Sequence, residues 1–250
     1  GSPIITSGGG DISIASRISA GTAGVHGQNW AGGGRVDSGV GQILISNSSN
    51  NTTSTDIVNG IVIRSTGTND TRFTSSKPTG EAIRVVSSVS NTGDRSIPMF
   101  ISSGSATRKT VFSATGGGDI YFEGNSSGTG ASTYSFDISN ATVSATTGRI
   151  TFRGNRGAIF NTFGSGDTSI GAGGSSSGDI SFEGNRFANA AGNLALNMRT
   201  AGTLTITPLS TATFADTVTF PTPGSTTNVG VLIVGCLLYT SPSPRDRTRS

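Results

Sequence analysis

Two octapeptides, GDIYFEGN at 118–125 and GDISFEGN at 178–185, each carry carboxylates four residues apart: Asp119 with Glu123, and Asp179 with Glu183. Clustered Asp and Glu on neighbouring strands are what glycan cleavage needs, one as general acid and the other as base or nucleophile. A third octapeptide, GRITFRGN at 148–155, stands midway and puts Arg149 and Arg153 at the matching places. The frame recurs every 30 residues, so two columns read Asp119, Arg149, Asp179 and Glu123, Arg153, Glu183. A guanidinium between two carboxylates favours their charged forms, whereas a general acid needs the opposite. The acidic pairs therefore read as rungs of a repeat, and no catalytic residue is assigned. Tyr121 and Tyr134 are the aromatic candidates for a sugar platform beside them.

Other chemistry is sparse. His26, in GTAGVHGQNW, is the one histidine, so neither a histidine metal cluster nor a Ser-His-Asp triad can be assembled. We expect it to be a loop residue near Trp30. The runs Gly8–Gly10, Gly32–Gly34 and Gly116–Gly118 do not lead into GK[ST] or a helix start, as a phosphate cradle would, and read as corners. GDTSIGAGGSSSGD, 166–179, has the glycine-and-aspartate texture of calcium-binding nonapeptides without their strict GGxGxDxUx string. No metal and no cofactor are expected.

The elements that hold these residues follow from alternation. In GDIYFEGN, Ile120 and Phe122 point to one face and Asp119, Tyr121 and Glu123 to the other, and Gly124-Asn125 is a turn signal. Ile150 with Phe152, and Ile180 with Phe182, would stack on the first pair if each unit is one circuit of a coil. Asn125, Asn155 and Asn185 would then form a corner ladder of amides. Thr133–Ser139 (TYSFDIS) supplies a second strand per unit and Thr142–Ala145 a third. Weaker relatives are GDISIAS at 10–16, GQILISN at 41–47, GEAIRVV at 80–86, GNLALN at 192–197 and GTLTIT at 202–207. A fixed period in this range marks a solenoid, propeller or array. The signature dipeptides of propeller blades and the leucine framework of leucine-rich repeats are both absent. The expectation is an all-β parallel β-helix, a β-solenoid with about 30 residues per coil in the central part.

Composition agrees: 38 glycines in 250 residues, 12% charged residues and 32% apolar ones suit many short strands and turns. CLLYTSPSPRDRTRS, 236–250, breaks this texture and holds the one cysteine. It resembles the translation of a transposase sequencing adapter, so we read 1–235 as the solenoid segment and 236–250 as a non-native, disordered tail. Setting aside Arg245, Asp246, Arg247 and Arg249 takes 17 basic and 14 acidic residues to 14 and 13, a net charge of +1. No general electrostatic case for nucleic acid survives, and none is expected as a partner. The chain starts without Met and runs into that tail, so a fragment truncated at both ends is expected. Membrane contact is expected only through parts not present. VGVLIV, 229–234, is strand-length and too short to span a bilayer as a helix.

The tetrapeptide FxxN, at Phe122–Asn125, Phe152–Asn155 and Phe182–Asn185, resembles the repeat of chlamydial polymorphic outer-membrane autotransporters. Their partner motif, GGA followed by Ile, Leu or Val, stands imperfectly as Arg156-Gly157-Ala158-Ile159. Residues 190–220, AAGNLALNMRTAGTLTITPLSTATFADTVTF, are similar in texture to filamentous-haemagglutinin-like repeat adhesins. The resemblance implies a right-handed β-helix, displayed outside the cell or at the outer membrane, in an adhesive or scaffolding role without catalysis. A host-cell, glycan or matrix ligand and self-association are the partners it allows, and it carries over no binding residue. The alternatives are a polysaccharide-active β-helix, a lyase or phage tailspike, and a self-assembling surface sheath protein.

Overall fold

A computed structural model describes residues 3–19, 25–51, 58–66, 69–91, 95–103, 107–128, 130, 133–160, 162, 166–171, 177–189, 194–209 and 227–234. The tail at 236–250 lies outside them. The described elements are all strands, and every pairing between them is parallel. Up to β18, each strand pairs with the third strand before or after it in sequence, which sorts the strands into three stacks.

The octapeptides β11 (Asp119–Ser126), β14 (Ile150–Gly154) and β17 (Ile180–Gly184) lie side by side in one stack. Below them run β8 (Glu81–Asn91), β5 (Ile43–Asn51) and β2 (Ile12–Ile18). A second stack holds β1 (Ile4–Thr6), β4 (Gly34–Asp37), β7 (Thr71–Ser75), β10 (Thr110–Ala114), β13 (Ala141–Ala145) and β16 (Thr168–Ile170). The third holds β3 (Val25–Ala31), β6 (Val58–Ser65), β9 (Ser96–Ser103), β12 (Phe136–Ile138), β15 (Ala158–Phe160) and β18 (Phe187–Asn189). The long strand β19 (Leu196–Thr207) joins the first two stacks, its start pairing with β16 and its end with β17. Finally β20 (Thr227–Val234) pairs along β19.

Period-two alternation decides which side chains go inside. In the octapeptide stack one inward column runs Ile12, Ile43, Ile83, Ile120, Ile150, Ile180, Leu204. The column beside it runs Ile14, Ile45, Val85, Phe122, Phe152, Phe182, Ile206. These columns meet those of the other stacks in one apolar core. Phe122, Phe152 and Phe182 stack face to face, with centroids 4.7 and 4.8 Å apart. A second ladder, Phe73 on Phe112 at 4.8 Å, rises from the neighbouring stack and meets Phe122 edge-on at 5.0 Å. Each buried ring contributes roughly 1.5–3 kcal/mol relative to exposure, and offset or edge contacts about 0.5–1.5 kcal/mol more per pair.

Both predicted extra strands are present, as β12 within 133–139 and β13 over Thr142–Ala145. GDISIAS, GQILISN and GEAIRVV all take their places in the octapeptide stack. GEAIRVV has one residue more between its glycine and first Ile than GDIYF, and a bulge between Glu81 and Ile83 absorbs it. GNLALN does not join that stack: Leu196 pairs with Thr168 in the second one, and only GTLTIT continues the octapeptides. The reason is that β19 runs unbroken through a corner, so two similar motifs fall on different faces.

The glycine opening each octapeptide is set by close approach of backbones. A Cβ on Gly148 would overlap the carbonyl oxygen of Gly118, and one on Gly178 that of Gly148. Gly148→Ala is expected to destabilise the fold by about 1–3 kcal/mol, the range for overpacking, seen as a lower thermal midpoint. Gly157 holds a φ of +80° at the corner before β15, a conformation that side chains with a Cβ rarely adopt.

Candidate functional site

The outward side of the octapeptide stack carries the charged columns. Arg153 Nε lies 3.4 Å from Glu183 Oε2, and Arg149 Nη2 lies 4.0 Å from Asp179 Oδ2. Glu123 sits in register with Arg153 and accepts a 3.6 Å ion pair from Arg84 on the other side. The Arg84 guanidinium also lies 2.6 Å from Glu81 and 4.7 Å above the Tyr121 ring. The Tyr121 hydroxyl donates to Glu123 at 3.2 Å. Partial burial, and then the Glu123 charge, push its phenol up. Each of these arginines thus pairs with a carboxylate on the next strand of the stack, in keeping with the alternating columns. Arg153→Glu would set like charges on three successive rungs. It is expected to lower the thermal midpoint in low salt, with part of the loss recovered at 1 M salt, where screening is strong.

The aspartates have a second task that sequence reading missed. Asp119 Oδ1 accepts the Arg149 backbone N–H at 2.7 Å, and Asp179 Oδ1 accepts that of Thr203 at 2.9 Å. Asp11 does the same for Gln42 at 2.7 Å, Asp70 for Lys109 at 2.9 Å and Asp167 for Ala195 at 2.8 Å. Five carboxylates therefore staple one corner to the next. The signal was available: each follows Gly or Asn, and stands either immediately before a strand or, as Asp119, at its first residue.

Asp119 and Asp179 do share a polar cleft of about 450 Å³, with Thr147, Arg149, Ser177 and Gly178. Arg149 stands in it between them. One oxygen of each acid is occupied by a backbone N–H, so the cleft is a corner groove of stapled backbone. Of the calcium-like stretch 166–179, residues 172–176 lie outside the described residues, and its two acids are the staples Asp167 and Asp179. Among the described residues, no three of His, Cys, Asp and Glu group closely enough to hold a metal.

The asparagine ladder is made by two of its three predicted members. Asn155 Nδ2 donates to the Ser126 carbonyl at 2.7 Å while its Oδ1 accepts the Ser126 N–H at 2.9 Å, and Asn185 Nδ2 donates to the Asn155 carbonyl at 3.0 Å. Asn125 does not join, because β11 runs on through it and its amide turns to Glu123 at 3.2 Å. The amides bond backbone and not one another.

His26 lies on β3 and not in a loop, with Asn59 Nδ2 donating to its Nδ1 at 3.4 Å. Burial, and then Arg64, hold its imidazole below the ordinary histidine range. The Tyr134 ring carries the Arg186 guanidinium at 5.0 Å. One face of Tyr121 and one face of Tyr134 are thus taken by arginines.

One titratable group escaped the sequence reading. Asp137, in the middle of β12, is 1% exposed and lies in register between Phe100 and Ile159. The Thr162 hydroxyl donates to its Oδ1, and among the described residues its Oδ2 has no hydrogen-bond partner. Burial pushes the carboxyl up to about 6, against smaller opposing pulls from Thr162 and Arg95.

The arrangement holds polar groups in ladders between strands. The class it defines is an all-β protein with a solenoid-like stack of parallel strands. Set against known protein families, curated proteins and solved structures, the chain matches none of them.

Proposed function

We propose that the chain is a right-handed parallel β-helix, with about 30 residues per coil in its central part, from a bacterial repeat adhesin displayed outside the cell. Its role is adhesive or scaffolding and not catalytic. The reading rests on the resemblance of the FxxN and GTLTI motifs to polymorphic autotransporter and filamentous-haemagglutinin-like repeats. The single observation that supports it best is the registered outward face, where Arg84, Arg149 and Arg153 each pair with a carboxylate on the next strand of the stack. Such a surface offers a ligand repeated chemistry over its length. In the same reading, 236–250 is adapter-derived, and net charge gives no reason to expect nucleic acid.

The test is binding of the purified chain to arrays of glycans and matrix proteins and to cultured host cells, with reducing ends measured in parallel. Saturable binding without glycan cleavage is the expected result. Release of reducing ends that Asp119→Asn abolishes would replace this reading with that of a polysaccharide-active enzyme.

A further inference from the structure

The third stack is finished differently from the other two. On those, outward arginines stand in the open: Arg35, Arg72, Arg149 and Arg153 have 56, 53, 62 and 52% of their side chains exposed. On the third, the outward column Val62, Phe100, Asp137, Ile159 runs in register from β6 through β9 and β12 to β15. Its members are 0, 4, 1 and 5% exposed. The outer side of this sheet is therefore a buried apolar strip with one carboxyl set into it.

Side chains from both ends of the column reach over the strip. Tyr134 packs on Val62, Ile97 and Phe100. The Arg64 guanidinium lies over the Phe100 ring and that of Arg186 over the Tyr134 ring, each at 5.0 Å. Thr162, just past β15, turns back to donate to Asp137 Oδ1, and among the described residues nothing donates to Oδ2. Phe100 and Ile159 flank the carboxyl on the two neighbouring strands. Arg95, just before β9, is the charged group that pulls on it, more weakly than burial pushes the other way. A neutral carboxyl suits such a cover, whereas a charged one lacks water and holds one hydrogen bond. Lifting the cover relieves the charge.

We propose that Asp137 is a latch: protonated, it lets Tyr134 and Thr162 close over the outer side of the third stack, and ionised, it favours a locally open form in which the strip meets water. The strands stay paired, because Phe136 and Ile138 on either side of it point into the main core. The carboxyl titrates at about 6 under the cover against 3.8 in its ordinary state. The open form therefore gains on the closed one as pH rises from about 4 to 6 and levels off above, by about 100-fold in all. The latch depends on the buried column and not on the adhesive role.

Labelling of a cysteine placed under the cover tests it, in a Cys236→Ser background with dithiodipyridine, which reacts with thiols in mild acid. Val62→Cys, two rungs from Asp137, reports the strip, and Val143→Cys, inward on β13, reports the core. Each is made with Asp137 and with Asp137→Asn, so that the ratio of the two labelling rates at each pH removes the titration of the thiol itself. For Val62→Cys the ratio is expected to rise about 100-fold between pH 4 and 7, most of it below about pH 6, while Val143→Cys stays protected with either residue at 137. Should Val62→Cys not fold, Ile159→Cys gives the same readout. A ratio that does not change with pH would overturn the latch. So would labelling of Val143→Cys as fast as that of the strip at pH 7, because the whole chain would then be unfolding.

Discussion

Phe152→Ala is expected to lower the unfolding free energy by about 3–5 kcal/mol, the range for losing a buried aromatic ring. The ring is the middle rung of its ladder, 4.7 Å from Phe122 and 4.8 Å from Phe182, and meets Phe136 edge-on at 5.7 Å. Neighbours fixed on both sides by backbone pairing cannot close in to fill the void, which places the cost toward the upper part of that range. Thr151→Ala, one residue earlier and pointing outward, is expected to stay within about 0.5 kcal/mol of wild type. Urea denaturation of the two variants checks the pair. Equal effects would mean that the inward and outward sides of β14 have been misassigned.

The second large effect is a pH dependence centred on Asp137. Its carboxyl titrates at about 6 in the folded chain against 3.8 in its ordinary state. The folded state therefore binds the proton more tightly, and unfolding releases it between those values. Stability from this group is full below about pH 4 and falls as pH rises toward 6. At about 1.4 kcal/mol per unit, the loss at pH 7 is about 3 kcal/mol. Asp137→Asn keeps the shape without the charge. It is expected to be the more stable protein at pH 7 by an amount that shrinks as pH approaches 4. The measurement is the difference in unfolding free energy between wild type and variant across that range, which cancels other titrating groups.

The contrast between these two residues shows what the sequence could reveal. Phe152 was legible because identical residues recur at identical spacing, and burial of alternate residues follows from the pleat. Its partner ladder, Phe73 on Phe112, was not, since those residues stand 39 apart and share no octapeptide frame. Face assignment failed at GNLALN for a related reason: Gly-x-Leu-x-Leu satisfies any inward column, and only pairing with Thr168 rather than Ile180 decides the stack. Asp137 was hidden differently. Between the core residues Phe136 and Ile138 it points away from the core, but whether such an outward position is wet depends on Phe100 and Ile159 beside it, which are far away in sequence. The charge ladders were legible as sign alternation, whereas the aspartate staples showed only as a Gly-Asp or Asn-Asp pair at a strand start, with the backbone N–H they hold on another circuit.

The central claim is that β14 and β17 stack in parallel with a register of 30 residues. Disulfide trapping tests it most directly, in a Cys236→Ser background. A bridge needs Cα atoms about 4.4–6.8 Å apart, which paired outward positions on adjacent strands satisfy and positions two residues out of register do not. Thr151→Cys with Ser181→Cys is expected to cross-link on mild oxidation without loss of folding, while Thr151→Cys with Glu183→Cys stays reduced. Cross-linking of the second pair in preference to the first would contradict the account.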